Sequence, residues 1–274
     1  MIIAQITDTH LKAGRKLAYR KVDTAAALEA CVRHLQQLPQ QPDVVFVTGD
    51  LGDLGVAAEY ELFREIVAPL PMPHYVIPGN HDNREAMRAA FADHTYLQQD
   101  DTFLHYVIND WPVRLIGLDS TVPGAPGGDM CPRRLEWLSR ALAASPSQPT
   151  LLFVHHPPFL TGIGHMDRQN CANAAAFCAV VEDNRQVRML LCGHVHRSIH
   201  VQWRGIEASI CPGTSHAVAL DLDPAGPPAF TFEPPACRLI VWDNPSDTFI
   251  THLSPIGTFD GPHPFFTGSG QLID

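Results

Sequence analysis

Five short segments of the sequence each end an apolar run with side chains that bind metals or carry protons well. They are Asp8-Thr9-His10, Gly49-Asp50, Gly79-Asn80-His81-Asp82, His155-His156 and Gly193-His194-Val195-His196. Together they offer carboxylates, imidazoles and one amide oxygen, with no thiolate. This donor set suits Mn, Fe, Zn or Co better than a thiolate-bound structural zinc. The donors are too many for one tetrahedral ion and enough for two ions that share a bridging carboxylate.

Each of these segments follows a predicted strand, over residues 2–6, 43–47, 74–77, 150–154 and 187–191. Ligands of open α/β sheets bind outside the carboxyl ends of the strands. Five such ends placed side by side would gather the carboxylates and imidazoles in one cleft. Gly49, Gly79 and Gly193 let the backbone turn sharply after three of the strands.

Helical patterns alternate with these strands. Asp23 is a predicted N-cap for the first helix, and further helices are predicted over 57–67, 132–143 and 173–181. Two antiparallel hairpins are predicted, one over 103–118 and one over 199–210. The alternation predicts an α/β fold, a layered α/β/β/α sandwich of two mixed β-sheets with helices on both faces.

Composition excludes several classes of partner. The chain has 274 residues, with 19 Lys and Arg against 29 Asp and Glu, so its formal net charge is −10. That balance disfavours a nucleic-acid polymer or an anionic membrane as partner. No apolar run approaches the roughly 18 residues of a membrane span, and no secretory signal is visible. The seven cysteines form no CxxC pair, so we expect a reducing, cytoplasmic setting.

The five blocks, taken in order over residues 1–196, resemble the calcineurin-like metallophosphoesterase superfamily. The resemblance is strongest to its bacterial branch of cyclic-nucleotide phosphodiesterases and glycerophosphodiesterases. Four stretches carry it, namely residues 5–10, 77–82, 155–158 and Pro212-Gly213-Thr214-Ser215-His216. Any one block is weak, and the five together at strand ends are specific.

The resemblance implies two divalent ions per subunit, of Fe, Mn, Zn or Co. It assigns to one ion Asp8, His10, Asp50 and His196, and to the other Asp50, Asn80, His155 and His194. Asp50 would bridge them. His81 would stabilise the phosphoryl oxygens or protonate the leaving alkoxide, and His216 would be a histidine on the substrate side. Tyr19 would line the mouth of the cleft, and Asn80 would also face the substrate.

The function that the resemblance implies is hydrolysis of small phosphodiesters, either cyclic nucleotides or glycerophosphodiesters, by in-line attack of a metal-bound hydroxide. Two alternatives stay open: a phosphomonoesterase acting on nucleotides or other small monoesters, and a catalytically silent scaffold. Arg84 and Arg197 are the basic residues nearest the motifs in sequence. The preference for a diester rests on the resemblance; because monoesters carry more charge than diesters, this scarcity of cations is consistent with it.

Some neighbouring residues have simpler interpretations than ligation. His156 would support His155, and Asp53 and Asp82 would orient ligands or cap helices rather than bind metal. Arg84, in a first helical turn, is expected in solvent. Cys192, beside the site, is expected to pack as a small apolar residue.

The C-terminal region is rich in proline, with short strand candidates over 238–242 and 248–252 and a tail over 259–274 without helical period. We expect residues 1–220 to form the catalytic domain and 221–274 a peripheral cap and oligomerisation region. Apolar residues in such a tail need a surface to cover. We therefore expect a homo-oligomer, a dimer or an assembly of dimers. The aromatic residues concerned are Phe230, Phe232, Phe259, Phe265 and Phe266.

Overall fold

The computed structural model describes residues 1–273 and contains two β-sheets that pack against each other. The strands are β1 (Ile2–Ile6), β2 (Val44–Thr48), β3 (His74–Ile77), β4 (Tyr106–Ile108), β5 (Arg114–Leu118), β6 (Gly128–Asp129), β7 (Thr150–Val154), β8 (Cys171–Ala172), β9 (Val187–Cys192), β10 (Ile199–Trp203), β11 (Ile206–Ile210), β12 (Ala217–Val218), β13 (Phe230–Thr231), β14 (Ala236–Asp243) and β15 (Thr248–Pro255). The helices are α1 (Thr24–Gln37), α2 (Ala57–Val67), α3 (Arg84–Ala90), α4 (Pro132–Ala143), α5 (Gly164–Asp167) and α6 (Ala174–Glu182), with 3-10 turns at Ala13–Arg15 and Thr95–Gln98.

The first sheet has the order β15-β14-β1-β2-β3. Its strands β1, β2 and β3 are parallel, with Gln5 opposite Phe46 and Phe46 opposite Tyr75. Strand β14 pairs antiparallel with β1, and β15 forms the antiparallel edge. Residues 236–255 thus complete the sandwich, whereas we expected a peripheral cap. The difference arises because β14 buries Ile240 and Trp242 in the same core as β1.

The second sheet has the order β10-β11-β9-β7-β5-β4. Strands β5, β7, β9 and β11 are parallel to one another. The edge strands β4 and β10 are antiparallel hairpin partners of β5 and β11, which confirms the two hairpins predicted from sequence. The sheet is therefore mixed, as expected.

Aromatic and polar contacts join the two sheets. The rings of Phe46 and Phe153 stack with centroids 3.4 Å apart, and both residues are fully buried. Burying one such side chain stabilises the fold by about 1.5–3 kcal/mol. Gln5 of β1 donates from Nε2 to the Cys192 carbonyl oxygen of β9, 2.9 Å away. The two sheets are thus fixed to each other directly beneath the strand ends.

Helices cover both outer faces of the sandwich. Asp23 caps α1 by accepting a hydrogen bond from the Ala26 amide, as the sequence predicts. Helices α1 and α2 bury Leu28 and Phe63 in the core of the first sheet, and α4 and α6 cover the second sheet. The α/β/β/α arrangement is confirmed. Among residues 1–273, no helix combines the length and apolar character needed to cross a bilayer.

The carboxyl ends of β1, β2, β7 and β9 meet at one edge of the sandwich. The Asp8 amide donates to the Gly49 carbonyl oxygen at 3.1 Å within the first sheet. Across the sheets, the His194 amide donates to the Asp8 carboxylate at 3.0 Å, and His155 Nδ1 lies 2.8 Å from the Thr48 carbonyl oxygen. The loops that follow these strands therefore form one continuous surface.

Candidate metal centre

Strained backbone marks this edge of the sandwich. Five of the seven candidate metal ligands have a left-handed backbone conformation, a region that costs non-glycine residues about 1–3 kcal/mol each and is concentrated at functional sites. Their φ values are 54° at Asp8, 41° at His10, 51° at Asp50, 76° at His194 and 54° at His196. The surrounding structure holds these conformations, for example through the His10 amide, which donates to the Asp50 carbonyl oxygen at 2.9 Å.

The three glycines of the motifs serve two purposes. Gly49 has a φ of 97°, so it takes the sharp turn that we expected. Gly79 and Gly193 are needed for close approach instead. A Cβ atom at Gly79 would clash with Asp50 Oδ1, and one at Gly193 would clash with Thr7 Oγ1.

All seven candidate ligands converge. Asp50 Oδ2 lies 3.3 Å from His155 Nε2 and 3.6 Å from His10 Nε2. Asp8 Oδ1 lies 3.3 Å from His196 Nε2, and Asn80 Oδ1 lies 3.2 Å from His155 Nε2. The His194 ring centroid lies 5.1 Å from that of His155. Apart from Asn80, these residues are at most 6% exposed.

Unsatisfied nitrogen atoms show that the cluster fits cations. His194 Nε2 is buried and has no hydrogen-bond partner among the described residues. His10 Nε2 and His196 Nε2 face each other at 3.1 Å, although two imidazole lone pairs repel unless a proton or cation lies between them. Buried polar atoms are rarely left in this state. Carboxylate, imidazole and amide donors in these positions suit divalent first-row metals.

Metal ligation needs deprotonated carboxylates and neutral imidazoles, and the two carboxylates and His194 are in these states. Burial would raise the pKa of Asp8, but His196 beside it lowers that pKa to about 2. The pKa of Asp50 also lies well below its usual range, because His155 outweighs the effect of burial. Burial lowers the pKa of His194 to about 3. His155 differs: burial lowers its pKa, but Asp50 raises it to about 9, so this imidazole must release a proton when it binds a metal.

Overlapping groups of donors are consistent with two ions. One group contains Asp8, His10 and His196, and another contains Asp8, Asp50 and His155, with all donor atoms in each group within 4.8 Å of one another. His156 also lies close, but its nitrogens are occupied. Its Nδ1 lies 2.8 Å from Ser120 Oγ and its Nε2 lies 3.3 Å from the Pro126 carbonyl oxygen. His156 therefore packs behind His155 and His194.

His81 stands at the rim of the cluster and is 34% exposed. Its ring centroid lies 4.7 Å from that of His10, and its amide donates to Asp50 Oδ1 at 2.9 Å. Its Nδ1 lies 2.8 Å from the Asp53 carbonyl oxygen, which leaves Nε2 for the cleft. Burial lowers the pKa of His81, but Asp50 outweighs this and raises it overall.

Asp53 and Asp82 support the ligand loops. The Asp53 carboxylate lies 3.6 Å from His10 Nδ1 and is paired with Lys12. Asp82 accepts hydrogen bonds from the Gly79 amide at 2.9 Å and from the Tyr60 hydroxyl at 3.1 Å. It thereby ties the loop after β3 to α2. Of the two, only Asp53 faces a candidate ligand imidazole, which such a carboxylate can orient, whereas Asp82 acts on the ligand loops through main-chain amides.

Aromatic residues form the mouth of the cleft. The His216 ring lies 4.6 Å from that of His196 and 5.5 Å from that of Tyr19. Phe230 stacks on Tyr19 at 5.1 Å. Burial lowers the pKa of His216 to about 3, so this imidazole is neutral. The other four tail aromatics noted in the sequence do not line this cavity of about 370 Å³.

Sequence reasoning missed several residues of this cavity, and three of them come from one segment. His165, Met166 and Gln169 line it from the segment that contains α5. The helix has only four residues, too few to leave a periodic signal. The neighbouring glycines Gly162 and Gly164 indicate a loop, but they do not indicate that this loop packs against the cavity.

Comparison with known proteins gives concordant results. A family model described as calcineurin-like phosphoesterase matches residues 1–198. The chain is 43% identical over 275 residues, covering all of both chains, to a protein of Arcobacter nitrofigilis named probable glycerophosphodiester phosphodiesterase GpdQ. It is 34% identical over 212 residues, covering 77% of this chain and 75% of the relative, to the 3',5'-cyclic adenosine monophosphate phosphodiesterase CpdA of Escherichia coli. A dimetal phosphatase from Danio rerio shares the fold, with a TM-score of 0.66, 14% identity and coverage of 94% of this chain and 96% of that structure.

Proposed function

The chain belongs to the calcineurin-like phosphoesterase family, and on that premise we propose that it is a metal-dependent hydrolase of small phosphodiesters. The observation that carries the proposal is the convergence of two carboxylates, four imidazoles and one amide at the strand ends. Relatives named for glycerophosphodiesters and for cyclic adenosine monophosphate support a small diester as the substrate.

We assign the ligands to two divalent ions, drawn from Fe, Mn, Zn or Co. Asp50 lies between the two sets of donors and would bridge the ions. When bound, such ions lower the pKa of coordinated water and neutralise charge on phosphoryl oxygens. The first ion is assigned Asp8, His10, Asp50 and His196, and the second Asp50, Asn80, His155 and His194.

The remaining residues act on the substrate. His81 presents Nε2 to the cleft, because Nδ1 is engaged by the Asp53 carbonyl oxygen. We assign it to stabilising the phosphoryl oxygens or protonating the departing alkoxide. His216, neutral and edge-on to the ring of Tyr19, orients the substituent that enters the mouth. Asn80 holds the phosphate as well as an ion.

The charges around the cleft favour a diester over a monoester. Arg84 is paired with the buried Asp119, and Arg197 donates to Glu233 at 2.7 Å. Lys12 is paired with Asp53. A phosphate monoester carries nearly two negative charges and a diester carries one. Arg84, Arg197 and Lys12 are thus each already paired with a carboxylate, which suits the singly charged substrate.

A direct assay tests the function. The protein is loaded with Mn²⁺ and given bis-(p-nitrophenyl) phosphate and p-nitrophenyl phosphate side by side. We expect kcat/KM to be higher for the diester, and Asp50→Ala and Asn80→Ala to lower it at least roughly 100-fold. Asp260→Ala, at a side chain that is 95% exposed, is the control. Wild-type rates in Asp50→Ala would exclude the assignment, and a preference for the monoester would favour the phosphomonoesterase alternative.

We propose a homo-oligomer and a cytoplasmic location for this enzyme. Residues 1–220 are assigned to catalysis. Residues 221–274 supply strands β14 and β15 of the first sheet, and we also assign them to a cap and to subunit contacts. Phe259 and Phe265 support this, because their side chains are 62% and 79% exposed in the single chain. The seven cysteines are all unpaired, as in a reducing compartment. Light scattering and cell fractionation test the two points, and a monomeric mass or a secreted protein would contradict them.

A further inference from the structure

The cleft has two lobes that meet at Asn80 and His81. The first lobe is the cavity of about 370 Å³ at the metal centre, where aromatic and aliphatic side chains stand beside the assigned ligands. The second lobe has a volume of about 550 Å³ and is lined by the same two residues. The first lobe includes Tyr19, Met166, Val218 and Phe230, and the second lobe includes Leu54, Asn83, Arg84, Asp101, Thr102 and Val122.

The position of Asn80 places the reacting phosphorus between the lobes. Its Oδ1 lies 3.2 Å from His155 Nε2, inside the ligand cluster, while the same residue also lines the second lobe. A phosphodiester has two ester substituents that leave the phosphorus in different directions. A metal centre with a cavity on one side only would accommodate one of these two substituents. The second lobe supplies the other space.

The walls of the second lobe are polar and carry hydrogen-bonding groups. Arg84 is only 17% exposed and uses Nε and Nη2 to bind Asp119 and the Thr121 carbonyl oxygen. Its Nη1 has no acceptor among the described residues, so it is available to a ligand. The Asn83 side chain uses its oxygen to cap α3 at 3.0 Å, which leaves its amide nitrogen as a donor.

Charge limits what this lobe binds. Asp119 neutralises Arg84, and Arg88 is engaged by carbonyl oxygens such as that of Leu97 at 2.8 Å. Glu85 and Asp101 add two carboxylates to the lining. Arg88 stays charged, but its Nη1 and Nη2 groups already donate to main-chain carbonyl oxygens. A phosphate or carboxylate would be repelled by the two carboxylates and would find only Arg84 Nη1 as a charged donor. A neutral substituent with hydroxyl groups would find donors at Arg84 and acceptors at the carboxylates.

We propose that the second lobe binds a neutral, hydroxyl-bearing ester substituent of the diester, while the first lobe takes a flat or apolar substituent. This rests on the proposed function. The first lobe suits its occupant because Tyr19 and Phe230 stack beside His216. The two lobes thus select diesters with unlike substituents.

The test compares two substrates that share one leaving group, p-nitrophenyl 2,3-dihydroxypropyl phosphate and p-nitrophenyl methyl phosphate. For the metal-loaded wild type, we expect kcat/KM to be at least tenfold higher for the dihydroxypropyl compound. Leu54→Trp fills the second lobe and should reduce that ratio at least fivefold. Leu160→Trp is the matched control, since Leu160 is similarly exposed (76% against 68%) and lines neither lobe. It should leave the ratio unchanged.

A second variant tests the hydrogen bonds instead of the space. Arg84→Lys keeps a cation beside Asp119 but removes the free Nη1 donor, and should reduce the ratio about three- to tenfold. Thermal unfolding checks that each variant is folded. A wild-type ratio near one, or a ratio unchanged in both lobe variants, would overturn the proposal. Failure of the wild type to hydrolyse either diester would instead contradict the proposed function.

Discussion

His81 Nδ1 lies 2.8 Å from the carbonyl oxygen of Asp53, and this contact fixes which nitrogen of the imidazole meets the substrate. Since Nδ1 donates its proton to a carbonyl oxygen, Nε2 is left for the cleft. The same residue, Asp53, faces His10 with its carboxylate at 3.6 Å. One loop residue therefore positions both an assigned ligand and the assigned proton carrier.

Replacing His81 by asparagine should distinguish the roles of its two ring nitrogens. The introduced side-chain amide can still donate to the Asp53 carbonyl oxygen, but nothing replaces Nε2. We expect kcat toward a diester that releases an alkoxide, such as a dialkyl phosphate, to fall about 10²–10³-fold, within the usual range of a general-acid contribution. Metal content, measured by mass spectrometry, should stay at the wild-type value. His263→Asn, at a 71% exposed histidine, is the control, and a loss of metal in His81→Asn would instead make His81 a ligand.

Asp53→Ala should weaken metal binding, because His10 loses the carboxylate that orients its ring. Burial would raise the pKa of Asp53, but His10 and Lys12 lower it to about 2, so the carboxylate is charged at neutral pH. We expect the affinity for Mn²⁺ to fall about 10–100-fold in competition with a chromophoric chelator. Asp260→Ala should bind Mn²⁺ like the wild type. Equal affinities in Asp53→Ala and the wild type would show that His10 needs no such support.

Metal removal should destabilise the fold, because Asp8 and Asp50 are buried together and the five strained ligand residues lose their binding partner. At an ion concentration about 100 times the Kd, binding contributes about 2.7 kcal/mol. For a chain of this size we expect Tm to rise roughly 5–10 °C on adding Mn²⁺ to protein freed of metal by a chelator. Asp50→Ala should show little of this rise. A Tm that does not respond to metal in the wild type would contradict the assignment.

His105 should make stability fall in mild acid. It is fully buried, its Nδ1 accepts a hydrogen bond from the Asp119 amide at 2.9 Å, and burial lowers its pKa from 6.5 to about 4. As pH falls, His105 is protonated in the unfolded chain before it is protonated in the folded one. Its contribution to the stability of the fold is therefore complete above pH 6.5 and is lost as pH falls toward 4. Between pH 7.5 and 5 this amounts to about 2 kcal/mol.

The measurement is the free energy of unfolding in urea, taken at pH 7.5 and pH 5 for the wild type and for His105→Asn. Asparagine keeps an acceptor near the Asp119 amide but does not titrate. The loss between the two pH values should be about 2 kcal/mol smaller in the variant. Other buried histidines titrate in both proteins and cancel in the difference, so identical pH dependences would contradict this role for His105.

The sequence predicts much of the site because its geometry follows from parallel strands. Thr48 and Ile77 end neighbouring strands, so the residues after them must lie at the same edge. Asp50 and Asn80 follow those ends by two or three residues. The convergence of these side chains is therefore a consequence of local patterns that can be seen without the structure.

Other features depend on contacts between distant parts of the chain. The pairing of β14 with β1 joins Gln5 to Arg238, and neither strand contains a signal for its partner. Arg238 is 1% exposed and donates to the Ile210 carbonyl oxygen at 2.8 Å, a role that no local pattern indicates. Arg84 was expected in solvent, but Asp119, 35 residues away, draws it inward. Such pairings depend on how the sheets pack.

The central claim is that Asp50 bridges two cations. The most direct measurement is anomalous diffraction from a crystal of the wild-type protein loaded with Mn²⁺. Two peaks about 3.5–4 Å apart are expected, with Asp50 between them, His10 and His196 beside one, and His155 and His194 beside the other. A single peak, or peaks away from the Asp50 carboxylate, would contradict the account.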